Sequence, residues 1–206
     1  RLVKPLDPKI LATEPDLWVV EKPSGWFTVP GRATEQGDPT PVLSHWLAKE
    51  TGEKVWVVHR LDAGTTGVLL FARSEDSHRE LNYIFQNHQA KKIYECLAQG
   101  RAPMPMMRIK KPIEGKRSLT QVEVLKQFAT AFHARVRIET GRQHQIRIHL
   151  SGEGYPLLGD VRYGGQPTAL GVTRPALHAR SLRLPDGREW ECPAPVDFQS
   201  WLNSLS

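Results

Sequence analysis

Two continuous apolar runs, VWVV at 55–58 and GVLLFA at 67–72, constrain the fold of this 206-residue chain most strongly. Both are rich in β-branched or aliphatic residues and far too short to span a membrane, so they predict strands that are covered on both faces. The segment HRLD at 59–62 places His59, Arg60 and Asp62 between these two strands. An isolated carboxylate out of water destabilises a fold, so Asp62 needs a hydrogen-bonding or cationic partner.

The sequence offers two kinds of partner for Asp62. The backbone amides of Gly64 and Thr65 could bind the carboxylate in an Asx-turn, which is a structural role. Alternatively, the amphipathic segment TGRQHQIRIHL at 140–150 contains Arg142 and Arg147, and a partly buried arginine is normally paired with a carboxylate or phosphate. Arg147 is thus a candidate partner for Asp62, and the residues alone leave both alternatives open.

The rest of the chain mixes strands and helices without a βαβ repeat. Strands are predicted at 16–20, 93–98, 120–128 and 131–139, a hairpin is predicted around PDG at 185–187, and residues 31–39 read as a polar loop. Helices are predicted from Thr40 to Gly52, after Ser74 and around Phe198 to Leu205. This pattern predicts an α/β (α+β) domain in which helices flank a mixed, largely antiparallel sheet in two halves, with Asp62 in a central basic cleft.

The charge of the chain is unevenly distributed. The net charge is +6, and residues 61–150 carry 15 basic and 8 acidic groups, whereas the segments on either side are balanced within one charge. A basic region of this kind favours a polyanionic partner, and nucleic acid first. We expect no membrane association, a cytoplasmic location and a monomer. The only two cysteines, Cys96 and Cys192, are expected to be reduced core thiols.

Six segments, in this order, resemble the sequence blocks of the RluA-type pseudouridine synthases. They span about residues 16–195 and comprise EKPSG (21–25), HRLDAGTTGVLLFA (59–72), KKIYECLAQG (91–100), TGRQHQIRIHL (140–150), LLGDVRYGG (157–165) and LHARSLRL (177–184). The resemblance implies the pseudouridine synthase fold, and we expect a single catalytic domain at 1–206. Many relatives also carry an S4-like N-terminal module, which we do not expect in this chain. It also implies that structured RNA, ribosomal or transfer RNA, is the substrate and that no cofactor is needed.

The resemblance assigns roles to individual residues. It implies that Asp62 is the nucleophile, that Tyr94 stacks on the target base, that Arg147 pairs with the catalytic aspartate and that Arg60 helps to extrude the target nucleotide. We also expect His59 and Arg142 to bind substrate. Asp62 would act at the ribose C1′ or at C6 of uracil, and the sequence leaves both routes open.

Two other functions compete with this interpretation. A binding-only RNA protein could keep the fold without turnover, although intact Asp62, Tyr94 and Arg147 argue against it. A metal-dependent phosphodiesterase could use His59, Asp62, His144 and His149, but the last two are five residues apart, which is not the i, i+4 spacing of a zinc-binding helix. We therefore expect no metal site.

Overall fold

The computed structural model describes residues 5–166 and 170–205, and it divides the chain into two compact units. Unit 1 comprises Arg1–Ala90 and Leu182–Cys192, and unit 2 comprises Lys91–Ser181 and Pro193–Ser206. The architecture is mixed α/β with mostly antiparallel strand pairing and helices packed on the strands, so the predicted fold class is confirmed. No helix in these described ranges is long and apolar enough to cross a membrane.

The strands are, in chain order, β1 (Lys9–Thr13), β2 (Leu17–Lys22), β3 (Trp56–Val57), β4 (Thr66–Ala72), β5 (Lys91–Gln99), β6 (Met106–Ile109), β7 (Thr120–Gln127), β8 (Ala131–Ile138), β9 (Leu177–Arg183) and β10 (Glu189–Glu191). The helices are α1 (Arg32–Glu35), α2 (Leu43–Thr51), α3 (Glu75–Gln86), α4 (Gln145–Gly152) and α5 (Val196–Ser204), and a single 3-10 turn covers Val161–Tyr163.

In unit 1, β2 lies between β1 and β4 and pairs antiparallel with both, and β3 pairs antiparallel with β4. All seven residues of β4 are buried, as the continuous apolar run predicted. Helix α3 begins at its predicted cap, where the amide of Ser77 donates a 3.1 Å hydrogen bond to the Ser74 hydroxyl. Leu81 of α3 then enters the core beside Leu17 and Leu70.

In unit 2, β8 lies between β5 and β7 and pairs antiparallel with both, and β6 pairs antiparallel with β7. The last helix, α5, docks as predicted, because Phe198 and Trp201 pack in a core cluster with Leu97 and Leu158. Cys96 is a buried free thiol, and its burial raises its pKa to about 12. Cys192 of unit 1 is likewise buried and unbridged.

Several predicted boundaries are wrong. The predicted loop at 31–39 contains α1, which starts where the Thr34 hydroxyl accepts a 2.8 Å hydrogen bond from the amide of Gly31. Helix α2 has Val42 rather than Thr40 as its N-cap, because the Phe27 amide donates to the carbonyl of Pro41 and holds that segment extended. The predicted strand at 55–58 pairs over only two residues, Trp56 and Val57.

Candidate active site

The HRLD segment joins β3 to β4 in unit 1 and places its three ionisable side chains in different surroundings. The His59 ring stacks on Phe85, with 4.4 Å between ring centroids, and its Nε2 accepts a 2.9 Å hydrogen bond from the Leu70 amide. Arg60 is exposed, and Asp62 is half-buried. The roles expected for Arg60 and Asp62 stay predictions.

A buried lysine holds the chain on the far side of Asp62. Lys22, at the end of β2, has no exposed surface, and its Nζ donates to the carbonyls of Pro23 (3.1 Å), Ala63 (3.1 Å) and Thr65 (2.9 Å). An ammonium that donates to three carbonyls is compatible with burial, because these charge-assisted hydrogen bonds replace the ones it would make with water. Lys22 thus fixes residues 63–65, and the sequence analysis did not single it out, although it stands in the EKPSG block.

A threonine holds the chain on the near side of Asp62. The Thr28 hydroxyl donates a 2.8 Å hydrogen bond to the Leu61 carbonyl and accepts a 3.1 Å bond from the Leu61 amide. After Asp62, the Thr65 amide donates to the main-chain carbonyl of Asp62 at 3.0 Å. The Thr65 amide therefore bonds to the backbone, and the structural alternative of an Asx-turn at Asp62 stays open at Gly64. Asp62 thus lies in a loop whose two ends are both fixed.

In unit 2, Arg147 lies on α4 and makes a bidentate ion pair with Asp160. The Nε to Oδ2 distance is 2.7 Å and the NH2 to Oδ1 distance is 2.8 Å, and the two residues are only 8% and 1% exposed. Sequence analysis missed Asp160, although it lies in the LLGDVRYGG block and a buried arginine was expected to need a carboxylate. The pairing of Arg147 with Asp62 stays a prediction.

Glycines on both sides of Asp160 are required by close packing. Gly159 has a positive φ of +73°, and a Cβ there would lie 2.3 Å from the carbonyl oxygen of Arg174. A Cβ on Gly165 would lie 2.2 Å from the carbonyl oxygen of Leu157. Any side chain at either position would displace backbone. The glycines of the LLGDVRYGG block therefore allow the tight fold that brings Asp160 to Arg147.

Tyr163 covers the same guanidinium from another side. The Arg147 guanidinium carbon lies 4.9 Å from the centroid of the Tyr163 ring, within cation–π range. The Tyr163 hydroxyl is 2.7 Å from Nδ1 of His144, the left-handed residue (φ 54°) that precedes α4. Arg147 is thus oriented by a carboxylate and an aromatic ring, both supplied by the segment after α4.

The face of β5 that carries Tyr94 is the face that α4 covers. Thr120 of β7 points toward α4, because its hydroxyl lies 3.1 Å from Nε2 of Gln145 and 2.8 Å from Nδ1 of His149. Thr120 is directly opposite Ile138 of β8, and Ile138 is directly opposite Lys92 of β5. Directly paired residues of an antiparallel sheet project on one face, so Lys92 is on the α4 side.

Tyr94 follows Lys92 by two residues and therefore projects on the same face of β5. Tyr94 is 9% exposed and pairs directly with Val136 of β8. Two residues with expected catalytic roles, Tyr94 and Arg147, thus belong to the same side of the unit 2 sheet. Lys92 shares this side, and sequence analysis gave it no role.

Arg142 lies in the loop between β8 and α4. Its amide donates to Oε1 of Gln145 at 3.1 Å, and its guanidinium is 3.4 Å from the carbonyl oxygen of Arg117. The side chain is half-buried, so part of the guanidinium is accessible. Its expected contact with substrate stays a prediction.

The histidines proposed for the rival metal site have other partners. Both ring nitrogens of His149 are hydrogen-bonded, to the Thr120 hydroxyl and to the Lys111 carbonyl, each at 2.8 Å, and burial lowers the pKa of this imidazole. His144 is bound to Tyr163. Over residues 5–166 and 170–205, no group of three or more His, Cys, Asp or Glu side chains is arranged to hold a metal ion.

The positive charge of the chain belongs to unit 2. Unit 1 contains 12 lysine and arginine residues against 15 aspartate and glutamate residues, whereas unit 2 contains 16 against 7. Their net charges are therefore −3 and +9. The unit that carries Tyr94, Arg147 and Arg142 is the one suited to attract a polyanion.

Comparisons with known proteins agree with this chemistry. The family model described as RNA pseudouridylate synthase matches residues 16–152. The ribosomal large subunit pseudouridine synthase D of Pseudomonas aeruginosa is 32% identical over 235 residues, covering 99% of this chain and 73% of that protein. The protein of the same name from Pasteurella multocida is 30% identical over 227 residues, covering 95% and 70%.

Solved structures give the same result for the fold. Human RNA pseudouridylate synthase domain containing 4 superposes with a TM-score of 0.76 at 26% sequence identity, covering 96% of this chain and 93% of that one. The similarity of fold therefore extends over nearly the whole chain. The chain belongs to the RluA-type RNA pseudouridylate synthases, a family of RNA isomerases.

Proposed function

We propose that this chain converts specific uridines of structured RNA to pseudouridine, with Asp62 as the nucleophile on a flipped-out nucleotide. In this proposal Arg147 supports the carboxylate, Tyr94 stacks on the displaced base, and Arg60 fills the space that the base leaves. His59 and Arg142 complete the substrate-binding set. Taking a base out of its stack costs about a few kcal/mol, and contacts with aromatic and basic side chains offset that cost.

The reaction needs no redox partner. The bond between uracil N1 and ribose C1′ breaks, a bond between uracil C5 and C1′ forms, the proton on C5 leaves, and N1 gains a proton. The number of electrons and atoms is unchanged, so a carboxylate that forms and releases one covalent bond to the nucleotide is sufficient. Neither a cofactor nor a metal ion enters this scheme.

The observation that best supports a catalytic Asp62 is the way its loop is held. Leu61 is fixed by two hydrogen bonds to Thr28, and residues 63 and 65 are fixed by Lys22. A nucleophile gains most from a rigid support, because misplacement by about 1 Å can cost a factor of about 100 in rate. A carboxylate needed only for a surface turn would not need a fully buried lysine beneath it.

The RNA class is proposed from the relatives. The two named above are called ribosomal large subunit pseudouridine synthase D, so we propose large-subunit ribosomal RNA as the first substrate to test. Transfer RNA is the comparison substrate. We also propose that the chain acts as a monomer in the cytoplasm, which light scattering and cell fractionation would test.

Release of tritium from C5 of uracil tests the catalytic proposal. Large-subunit ribosomal RNA and transfer RNA, each labelled at C5, are incubated separately with the intact chain, with Asp62→Asn and with Asp76→Asn. Asp76 is an exposed aspartate in the first turn of α3, so it is a matched control within unit 1. We expect Asp62→Asn to fold and to release no tritium, and Asp76→Asn to release it at the rate of the intact chain.

The results of this assay distinguish the catalytic function from the binding-only function, and ribosomal RNA from transfer RNA as substrate. Release by a folded Asp62→Asn variant would remove Asp62 from the mechanism. If the intact chain binds both RNAs tightly but releases tritium from neither, the binding-only function replaces the proposed one. Release from transfer RNA alone would overturn the choice of ribosomal RNA.

A further inference from the structure

Lys92 of β5 is a buried lysine in unit 2. Its side chain is on the α4 side of β5, and the residue is only 9% exposed. Within residues 5–166 and 170–205, no carboxylate, carbonyl or hydroxyl binds its ammonium. Burial alone lowers the pKa of this lysine to about 8. Lys92 differs in this respect from the fully buried Lys22, which donates three hydrogen bonds.

The ammonium of Lys92 lies directly beneath a glycine at the surface. A Cβ on Gly141 would be 3.2 Å from Nζ of Lys92, and Gly141 itself is exposed. The neighbouring residue Arg142 carries a second cationic side chain, whose guanidinium is directed to the main-chain carbonyl of Arg117. A ligand that approaches over Gly141 would meet the ammonium of Lys92.

An unpaired buried ammonium destabilises the free protein, so its retention calls for a partner that arrives later. Lys92 projects on the same face of β5 as Tyr94, two residues away, and in the unit with a net charge of +9. The RNA substrate is a polyanion, and most contacts that proteins make with nucleic acids go to phosphate oxygens. The chemistry of the missing partner is therefore that of a phosphodiester.

We propose that the Lys92 ammonium binds a phosphodiester oxygen of the substrate RNA, next to the nucleotide that Tyr94 contacts. The inference rests on the proposed function and adds a binding residue to it. Lys92 gains in the complex the anion that it lacks in the free protein. Replacing it should therefore stabilise the free protein and weaken RNA binding, and a purely structural lysine would not produce both effects.

The test compares Lys92→Met with Lys91→Met. Methionine retains most of the length of the side chain and removes the charge. Lys91 is the adjacent residue of β5, is exposed and projects on the opposite face, so it controls for the loss of one positive charge. Thermal unfolding gives Tm, and a 12-nucleotide oligouridylate gives Kd at a series of salt concentrations.

We expect Lys92→Met to raise Tm by about 5 °C, because a buried unpaired charge is removed. Its Kd for oligouridylate should increase at least about tenfold, which is the usual effect of losing a hydrogen bond to a charged group. The slope of log K against log salt should become shallower by about 0.7, the value for one phosphate contact on a single strand. In turnover of large-subunit ribosomal RNA, KM should rise while kcat is unchanged.

A second variant tests the direction of approach. Gly141→Val keeps the lysine charge and places carbon atoms over the ammonium. Because φ at Gly141 lies outside the positive range, valine is tolerated by the backbone. We expect RNA binding to weaken as in Lys92→Met, without the rise in Tm.

Three results would overturn the inference: an unchanged Kd and salt slope in Lys92→Met, an equal loss in Lys91→Met, or normal binding by Gly141→Val. Failure of the proposed function gives a different result. In that case the intact chain releases no tritium from either RNA, while the binding and Tm measurements still decide the role of Lys92.

Discussion

The ion pair between Arg147 and Asp160 offers the sharpest test of the site, because its two partners can be separated by one substitution. In Asp160→Asn the carboxylate becomes a carboxamide of almost the same shape. One of the two acceptors of the bidentate pair is replaced by an NH2 group that faces a guanidinium N–H. The substitution therefore loses the ionic attraction and at least one of the hydrogen bonds of 2.7 and 2.8 Å.

The expected magnitude follows from burial. Asp160 is 1% exposed and Arg147 is 8% exposed, so water cannot replace the lost carboxylate. Removing one member of a buried ion pair typically costs about 3–5 kcal/mol, because the other charge stays buried. For a chain of this size the slope in urea is about 2–3 kcal/mol per M, so the midpoint should fall by roughly 1–2 M.

The assay is equilibrium unfolding in urea, with Glu123→Gln as the control. Glu123 pairs with Arg135 at 2.9 Å, but the two side chains are 44% and 49% exposed, so this substitution should cost less than about 1 kcal/mol. If Asp160→Asn costs no more than Glu123→Gln, the ion pair does not stabilise α4 and the argument from burial is refuted. Tritium release measured below the unfolding transition should also fall, since Arg147 is no longer oriented.

Two further predictions concern the buried lysines. Lys22→Met leaves the carbonyls of Pro23, Ala63 and Thr65 without their donor, so the free energy of unfolding should fall by about 2–4 kcal/mol. Tritium release should fall with it. If the variant keeps the urea stability and the turnover of the intact chain, Lys22 does not hold the Asp62 loop in place. The pKa of Lys92 falls from 10.5 to about 8 on folding, so the unfolded chain binds more protons than the folded chain between these two pH values. The free energy of unfolding therefore increases, by at most about 3 kcal/mol, as the pH rises from about 8 to 10.5. Urea titrations at pH 7.5 and 10 should show this gain relative to Lys92→Met, and parallel pH profiles would contradict it.

Several parts of the fold could be predicted because their causes are local. The run 67–72 is apolar at every position, and β4 is buried at every residue. Ser74 caps α3 as predicted, and its hydroxyl accepts a hydrogen bond from the amide of Ser77. The alternation of apolar and polar residues at 120–139 predicted β7 and β8 as a pair. The family could be recognised for a similar reason, because HRLD and the other blocks are short and contiguous.

Boundaries that depend on distant contacts were missed. Helix α2 begins at Leu43 because Phe27 pairs with the segment around Val42 and keeps it extended. The capping pattern at Thr40 and Pro41 is intact in the sequence, but pairing with a residue 15 positions earlier prevents its use. Local propensity is a weak preference that tertiary contacts commonly override.

The sequence by itself determined which residues are available for chemistry, and the tertiary structure decided what each of them contacts. Asp62, Tyr94 and Arg147 could be named from short motifs, because residue type and local spacing are properties of the chain. The bond from Lys22 to Thr65 spans 43 residues and the pair of Arg147 with Asp160 spans 13, and neither distance leaves a periodic signal. The burial of Lys92 leaves no such signal either, because it depends on the packing of α4 on the sheet of unit 2. Partners are selected by proximity in space, so they become known only when the strands and helices are packed.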